Sequence, residues 1–220
     1  CLSIYLEEVS MKNKRFVVDV IAIFLVVICT FNPITPVYAN SYPSPEKVFP
    51  SEKVTSLWNE IMQQEVLPDK PYNSDFRATS NRTDSYPQRK GVILVTGDKY
   101  KGVVPLGHAA IIYSKDRVVE SLENGVVWGS NDWNKKYNIT TAVTVNSTTI
   151  EQDEAAANWC AGQIGKPYNF SFYNITTRSE FYCSQLVWAS FYDLYGIDLN
   201  TSDFDIAIHP SELIATPKTR

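Results

Sequence analysis

The chain has 220 residues, of which 44% are hydrophobic and 20% charged, and its formal net charge at pH 7 is −4. These values are typical of a globular protein of one domain that can bury a sizeable core, and they exclude a disordered or low-complexity chain. The negative net charge argues against a nucleic acid or an anionic membrane held by general electrostatic attraction.

Residues 11–39 have the pattern of a bacterial secretory signal peptide. Met11 opens a short basic segment, residues 20–29 are almost wholly apolar, and Ala39 is a small residue suited to signal peptidase. The apolar run is shorter than the roughly 20 residues that a membrane span needs. We therefore expect cleavage before Asn40, with retention of the signal as an anchor as the alternative, and a protein that is secreted or associated with the cell wall.

The rest of the chain divides into an N-terminal extension, a leader and a main domain. Residues 1–10 precede the first methionine and read as an upstream extension of the reading frame or an artefact. Cys29 is not expected to carry a lipid, because the isoleucine before it is not a small residue. Residues 40–90 are predicted to be a leader with one helix, over 54–66, and a polar loop. The main domain is predicted over 91–220.

The main domain begins with Val- and Ile-rich runs separated by turn residues, which predict a meandering antiparallel sheet. The predicted strands are 91–96, 109–113, 117–122, 126–129 and 141–145. A helix is predicted from Thr149, where acidic residues favour a helix N-terminus, to Gly162. After an aromatic loop over 166–170, a second helix is predicted from about 180 to a stop at Gly196. The predicted fold class is α+β.

Cys183 is the leading candidate for a catalytic residue. It stands where a polar, turn-like stretch gives way to an apolar helical run, which places its thiol in the first turn of the second helix. Unpaired backbone N–H groups and the positive end of the helix dipole favour the nucleophilic thiolate there. The alternative is that Cys183 is a small buried hydrophobic residue, the commoner situation of a free cysteine.

A cysteine nucleophile needs an imidazole and a polar group that orients it. The chain has two histidines. His108 lies at the start of a predicted strand, and the hairpin turn over 114–116 can bring Glu120 of the next strand beside it. His209, which precedes a proline, is the rival base and is interpreted as a structural residue at a helix boundary. Glu120 would otherwise be a solvated carboxylate at a strand end.

A disulfide between Cys160 and Cys183 is the alternative use of the two cysteines in an exported protein. Against it, Cys160 lies within an apolar helical stretch as core filler, and a disulfide would leave His108 without a role. The histidines and scattered acidic residues show no metal-ligand spacing. We therefore predict neither a metal nor an organic cofactor.

Several blocks of the sequence, taken in order, resemble the YiiX/YebB-like group, the circularly permuted branch of the NlpC-type papain-like superfamily. In this branch the histidine and its polar partner precede the cysteine, as they do here. The blocks are 107–111, 119–121 with 125–126, 165–169, and 181–186 with Pro210. The resemblance covers roughly residues 90–213.

The resemblance implies a permuted papain-like fold in which the helix of Cys183 packs on the sheet that bears His108 and Glu120. It implies Cys183 as nucleophile, His108 as base and Glu120 as orienting residue, and it places Tyr168 and Tyr182 where they could line a substrate pocket. The implied reaction is acyl transfer at an amide or ester. The secretion signal adds an expected substrate, cell-wall peptide or a related small amide, for a peptidase or amidase. A lipid ester or amide hydrolase or acyltransferase, and a non-catalytic secreted binding module, are the alternatives.

Overall fold

The computed structural model of the protein describes residues 42–65, 67, 69–70, 86–98 and 106–220. Within this part, Tyr42–Arg220 belongs to one compact unit. The predicted N-terminal extension over 1–10 and the predicted signal over 11–39 lie outside the described residues. None of the helices in the described ranges is both long and apolar enough to cross a membrane.

The described residues form six helices and five strands. In chain order these elements are α1 (Pro45–Val48), α2 (Ser51–Ile61), β1 (Ile93–Thr96), β2 (His108–Ser114), β3 (Arg117–Leu122), β4 (Gly125–Ser130), α3 (Trp133–Lys136), β5 (Thr141–Val143), α4 (Ile150–Ala161), α5 (Cys183–Tyr195) and α6 (Glu212–Ala215). Each of the five predicted strands is confirmed: the bounds of β3 coincide with the prediction, and those of the other four differ from it by at most two residues at either end. The α+β class follows from a sheet and helices that alternate irregularly along the chain.

The five strands form one antiparallel sheet in the order β4-β3-β2-β1-β5. The first four strands form the predicted meander, whereas β5 returns to the far edge and pairs with β1. Beyond β5, Thr144 and Arg220 exchange backbone hydrogen bonds of 2.9 and 3.0 Å, so the C-terminal residue covers this end of the sheet. The sheet therefore presents β4 as its other edge.

Both faces of the sheet are covered, which explains why its strands read as apolar runs rather than as a strict alternation. On one face, residues such as Ile93, Ile111 and Val119 join the main core, to which α4 and α5 contribute. On the other face, a smaller cluster forms around Leu94 and Trp133. The helix that begins at Cys183 packs against β2 and β3, while α2 adds Leu57 and other residues to the main core.

Helix bounds differ from the prediction at two places. Helix α2 is Ser51–Ile61 rather than 54–66. Helix α5 begins at Cys183 rather than near residue 180, because Phe181 is held outside the helix. Its N–H donates to the Pro167 carbonyl at 3.1 Å, and its carbonyl accepts from the Ser121 hydroxyl at 2.6 Å. The predicted helix stop at Gly196 is confirmed by its left-handed φ of 66°.

Candidate active site

Cys183 is the first residue of helix α5. Tyr182 before it has extended backbone angles, and its N–H donates to Gln185 Oε1 at 3.2 Å, which satisfies one backbone donor at the helix start. Cys183 is only 8% exposed, so its sulfur lies in a largely water-excluded site. Its neighbours on β2 and in the first turn of α5 therefore decide its charge.

The two cysteines in the described part of the chain have different environments. Both are free, so the alternative of a disulfide between them is excluded. Cys160 is buried in the core with its sulfur 3.6 Å from the Leu186 carbonyl, and burial raises the pKa of Cys160 to about 12. Cys160 is therefore the core filler that the sequence predicted.

His108 and Glu120 lie side by side on neighbouring strands. Ala110 pairs with Glu120 across β2 and β3, so His108, two residues earlier on the same face, is its diagonal neighbour. The Nε2 atom of His108 lies 2.7 Å from Glu120 Oε2, and both side chains are nearly buried, with 13% and 10% exposure. The hairpin predicted from the turn over 114–116 therefore produces the contact that the sequence suggested.

The Cys183 sulfur is hydrogen-bonded to His108 and faces the backbone N–H groups of Ala109 and Ser184. Burial by itself favours the neutral thiol. The hydrogen bond and charge of His108 and the two N–H groups together outweigh burial and lower the pKa of Cys183 below its ordinary value of 9.0.

The imidazole shows the complementary change. Burial by itself lowers the pKa of His108, but its hydrogen bonds and charge interactions with Cys183 and Glu120 raise that pKa from 6.5 to about 9. A lowered thiol pKa beside a raised imidazole pKa favours a thiolate and imidazolium pair at neutral pH. This is the activated form of a cysteine nucleophile.

Trp133, which the sequence analysis did not single out, covers the imidazole. Its ring stacks on that of His108 with centroids 5.1 Å apart and an interplanar angle of 20°, and the residue is 1% exposed. Tyr137 packs edge-on against Trp133 at 4.9 Å. Burial, together with Glu120, Asp98 and Cys183, raises the pKa of Tyr137 to about 12, so its hydroxyl stays protonated beside the site. No local pattern in the sequence indicates that these two rings pack at the imidazole.

Of the two tyrosines predicted to line a pocket, Tyr182 lies in the core instead. It is 1% exposed, and its hydroxyl donates to the Phe172 carbonyl at 3.2 Å and accepts from the Ile208 N–H at 3.0 Å. These contacts leave its ring no open surface for substrate, so that prediction is wrong for Tyr182. Tyr168 is partly buried against Phe170, with ring centroids 4.8 Å apart, and its contact with substrate stays a prediction.

Buried polar side chains connect the sequence blocks that carry the family resemblance. Asn169 donates to Gln185 Oε1 at 2.9 Å, and both residues are fully buried. The side-chain amide of Gln185 in turn donates to the carbonyls of Asn174 and Ile175 at 3.3 and 3.2 Å. The aromatic loop is therefore fastened to the first turn of α5, next to Cys183.

His209, the rival base, has a different environment. It is fully buried, with its Nδ1 2.7 Å from the Ser211 hydroxyl and its ring 5.1 Å from the rings of Phe49 and Phe204. The structure joins Cys183 to His108 and gives His209 the structural surroundings that the sequence predicted. Among the residues that the structure describes, no group of three or more His, Cys, Asp or Glu side chains is placed to hold a metal ion.

Comparison with known proteins finds a family to which this part of the chain is similar. The family model described as permuted papain-like amidase enzyme, YaeF/YiiX, C92 family, matches residues 101–204, which include Cys183, His108 and Glu120. Residues 101–204 are therefore similar to the YaeF/YiiX family. The predicted resemblance to the YiiX-like permuted papain-like group is confirmed. His108 and Glu120 precede Cys183 in the sequence, as in the permuted order, and the three side chains lie together in the folded protein.

Two relatives show how far the similarity extends. The uncharacterized protein YycO of Bacillus subtilis (strain 168) is 28% identical over 137 residues, which cover 59% of this chain and 54% of YycO. The chain thus spans about half the length of the curated relative that it matches. A crystal structure of metalloprotein yiiX from Escherichia coli O157:H7 covers 62% of this chain and 96% of that chain, with a TM-score of 0.48 and 17% identity.

The YaeF/YiiX family is one of papain-like amidases, the class of cysteine hydrolase that the sequence predicted. The catalytic roles of Cys183, His108 and Glu120 stay predictions, supported by the hydrogen-bonded arrangement described above. The predicted substrate, the acyl-enzyme and export likewise go beyond the family match.

Proposed function

We propose that the protein is a cysteine hydrolase that cleaves an amide bond through an acyl-enzyme on Cys183. The observation that carries the proposal is the hydrogen-bonded chain from the Cys183 sulfur to His108 and on to Glu120, in a site with little exposure to water. Nucleophile, base and orienting carboxylate are the three parts that thiol catalysis requires.

In the first half of the reaction, the Cys183 thiolate attacks the carbonyl carbon of the amide. The tetrahedral oxyanion would be stabilised by backbone N–H groups at the start of α5, whose dipole is positive at that end. The His108 imidazolium then donates its proton to the leaving nitrogen, the C–N bond breaks, and an amine departs. The acyl group remains on the Cys183 sulfur as a thioester.

In the second half, neutral His108 accepts a proton from a water molecule that attacks the thioester carbonyl. The carboxylic acid leaves and the thiolate and imidazolium pair is restored, so no net oxidation or reduction occurs. Glu120 holds the imidazole in one orientation through its 2.7 Å contact and favours the charged form. Trp133 covers the other side of the ring and keeps water from it.

We further propose that the enzyme is exported and acts on cell-wall peptide or a related small amide. The signal pattern over 11–39 supports export. Peptidoglycan is the amide-rich polymer outside a bacterial membrane.

The proposal is tested by incubating the purified protein with muropeptides and with lipid amides and identifying the products by mass spectrometry. We expect muropeptide cleavage by the wild type, its loss in Cys183→Ala, and its retention in Cys160→Ala. Cys160→Ala is a matched control because it removes the second thiol of the described residues, which lies in the core.

Different results would point to different functions. Cleavage of lipid amides alone, dependent on Cys183, would replace the peptide substrate by an acyl chain. Equal products from the wild type and Cys183→Ala, or no cleavage of either substrate class, would contradict the proposed hydrolase. The absence of cleavage of either substrate class would favour a non-catalytic binding module.

A further inference from the structure

Gly129 lies on the edge strand β4, on the face of the sheet that carries Glu120. Its backbone does not require glycine, because its φ is not among the positive values found elsewhere in the described chain. A glycine inside a strand normally weakens it, since it has no side chain to pack and more freedom to lose on folding. Its presence therefore indicates a need for space rather than for an unusual backbone conformation.

That space is filled by Glu120. A Cβ atom at position 129 would lie 1.9 Å from Glu120 Oε1 and 2.7 Å from its carboxyl carbon. It would also lie 2.8 Å from Cγ2 of Val118. Real Cβ atoms do not approach other atoms this closely, so any side chain at position 129 would displace the carboxylate.

The strand register explains why the carboxylate lies there. Glu120 on β3 is directly opposite Val127 on β4 and Ala110 on β2. Gly129 and His108 are thus its diagonal neighbours on the two flanking strands, on the same face. One carboxylate oxygen, Oε2, contacts His108 at 2.7 Å, and the other, Oε1, lies over Gly129.

We propose that Gly129 is a positioning residue of the active site, and that its missing side chain provides the slot that holds the Glu120 carboxylate against His108. This inference rests on the proposed function for the role of the Glu120–His108 contact. The backbone conformation at position 129 is one that alanine can adopt. The carboxylate that would clash with its methyl group is the far end of a flexible side chain. A methyl group at position 129 therefore moves the carboxylate before it disrupts the strand.

The test is an NMR titration of His108 in the wild type and in Gly129→Ala, with assignment by comparison with His108→Ala. We expect Gly129→Ala to lower the pKa of His108 by about 1–3, the change that accompanies loss of an opposite charge nearby. Glu120→Gln should lower it to a similar extent. The double variant should show no further change, because both substitutions act through the same contact. The rate of Cys183 alkylation near neutral pH should fall in parallel.

Gly162→Ala is the matched control, since it adds the same methyl group where the nearest contact is the Trp159 carbonyl at 3.3 Å. An unchanged His108 titration in Gly129→Ala, where Glu120→Gln changes it, would overturn the inference and leave the proposed function standing. An unchanged titration in Glu120→Gln would instead remove Glu120 from the proposed mechanism.

If Gly129→Ala alone fails to fold, the pair Glu120→Ala and Gly129→Ala/Glu120→Ala decides the question through thermal unfolding. The double variant should fold as well as Glu120→Ala, because the clashing carboxylate is gone. Failure of the double variant to fold would show that Gly129 is needed for contacts other than Glu120, such as Val118, and would overturn the inference.

Discussion

At the scale of single residues, the site depends on two buried groups that change each other's charge. Neither group would be charged in this way by itself, because burial favours the neutral thiol of Cys183 and the neutral imidazole of His108. Glu120 adds a negative partner to the imidazole from the neighbouring strand. The charged pair of Cys183 and His108 therefore depends on the contact between α5 and β2.

The two pKa changes predict how reactivity depends on pH. Alkylation of Cys183 by iodoacetamide should stay fast at pH values below 9.0 and fall only as the pH drops through the lowered pKa of the thiol. Amide hydrolysis should also decline as the pH rises through about 9, because His108 then loses the proton that the leaving amine needs. Alkylation and hydrolysis rates measured across this pH range check the two dependences, with the alkylated residue identified by mass spectrometry.

An ordinary thiol would give a different profile. A single inflection in the alkylation rate near pH 9, unchanged in His108→Ala, would contradict the thiolate and imidazolium pair. Cys160 supplies the internal comparison, because its buried thiol, with a pKa of about 12, should remain unmodified throughout.

At the scale of elements, the position of Cys183 depends on what stops α5 from starting earlier. Phe181 is held by Ser121 of β3 and by Pro167 of the aromatic loop. Gln185 then completes the helix start by accepting from the Tyr182 N–H. A helix beginning a few residues earlier would hide Cys183 in its interior, away from the positive end of the dipole.

Gln185→Leu should therefore weaken both the fold and the site. The substitution keeps a side chain of roughly similar volume but leaves the Tyr182 N–H, the Asn169 amide and two loop carbonyls without this partner. Each buried polar group left unpaired costs about 1–3 kcal/mol. Urea unfolding should show the loss of stability, and the alkylation rate of Cys183 should fall under native conditions.

Gln64→Leu, at an exposed position after α2, provides the comparison. We expect it to leave both measurements unchanged within error, as surface substitutions usually do. Equal effects of the two substitutions would show that the Gln185 contacts do not set the start of α5.

At the scale of the whole molecule, residues before the predicted main domain are part of its structure. Asp153 in the first turn of α4 is fully buried and pairs with Lys70 at 2.9 Å and with Arg89 at 3.0 Å. Both cations come from the predicted leader over 40–90. The ion pairs fasten this part of the chain to the helix that packs on the sheet.

Asp153→Asn should destabilise the fold strongly, because it leaves two largely buried cations without their shared anion. Breaking a buried ion pair by removing one partner costs about 3–5 kcal/mol. Asp116→Ala, which removes an ion pair with Lys115 that is more than 70% exposed on both sides, should cost about 1 kcal/mol or less. Unfolding free energies from urea titration check both values, and similar losses would contradict a structural role for the buried network.

Much of the fold could be predicted from local patterns. Val- and Ile-rich runs and their turn residues located the five strands, and Gly196 marked the end of α5. Cys183, His108 and Glu120 were found because a helix start and a short hairpin are determined by residues close together in the sequence. The register of one hairpin was enough to place Glu120 next to His108.

The remaining features depend on contacts between distant residues, which no local period reveals. Whether Tyr182 faces substrate or the core depends on how Phe172 and Ile208 pack around it. The stacking of Trp133 on His108 and the space that Gly129 leaves for Glu120 depend on which strands become neighbours and on which face. The sequence by itself thus determined the chemistry that could occur and the elements that carry it. The tertiary structure alone decided which side chains enclose that chemistry, because enclosure results from packing across the whole sheet.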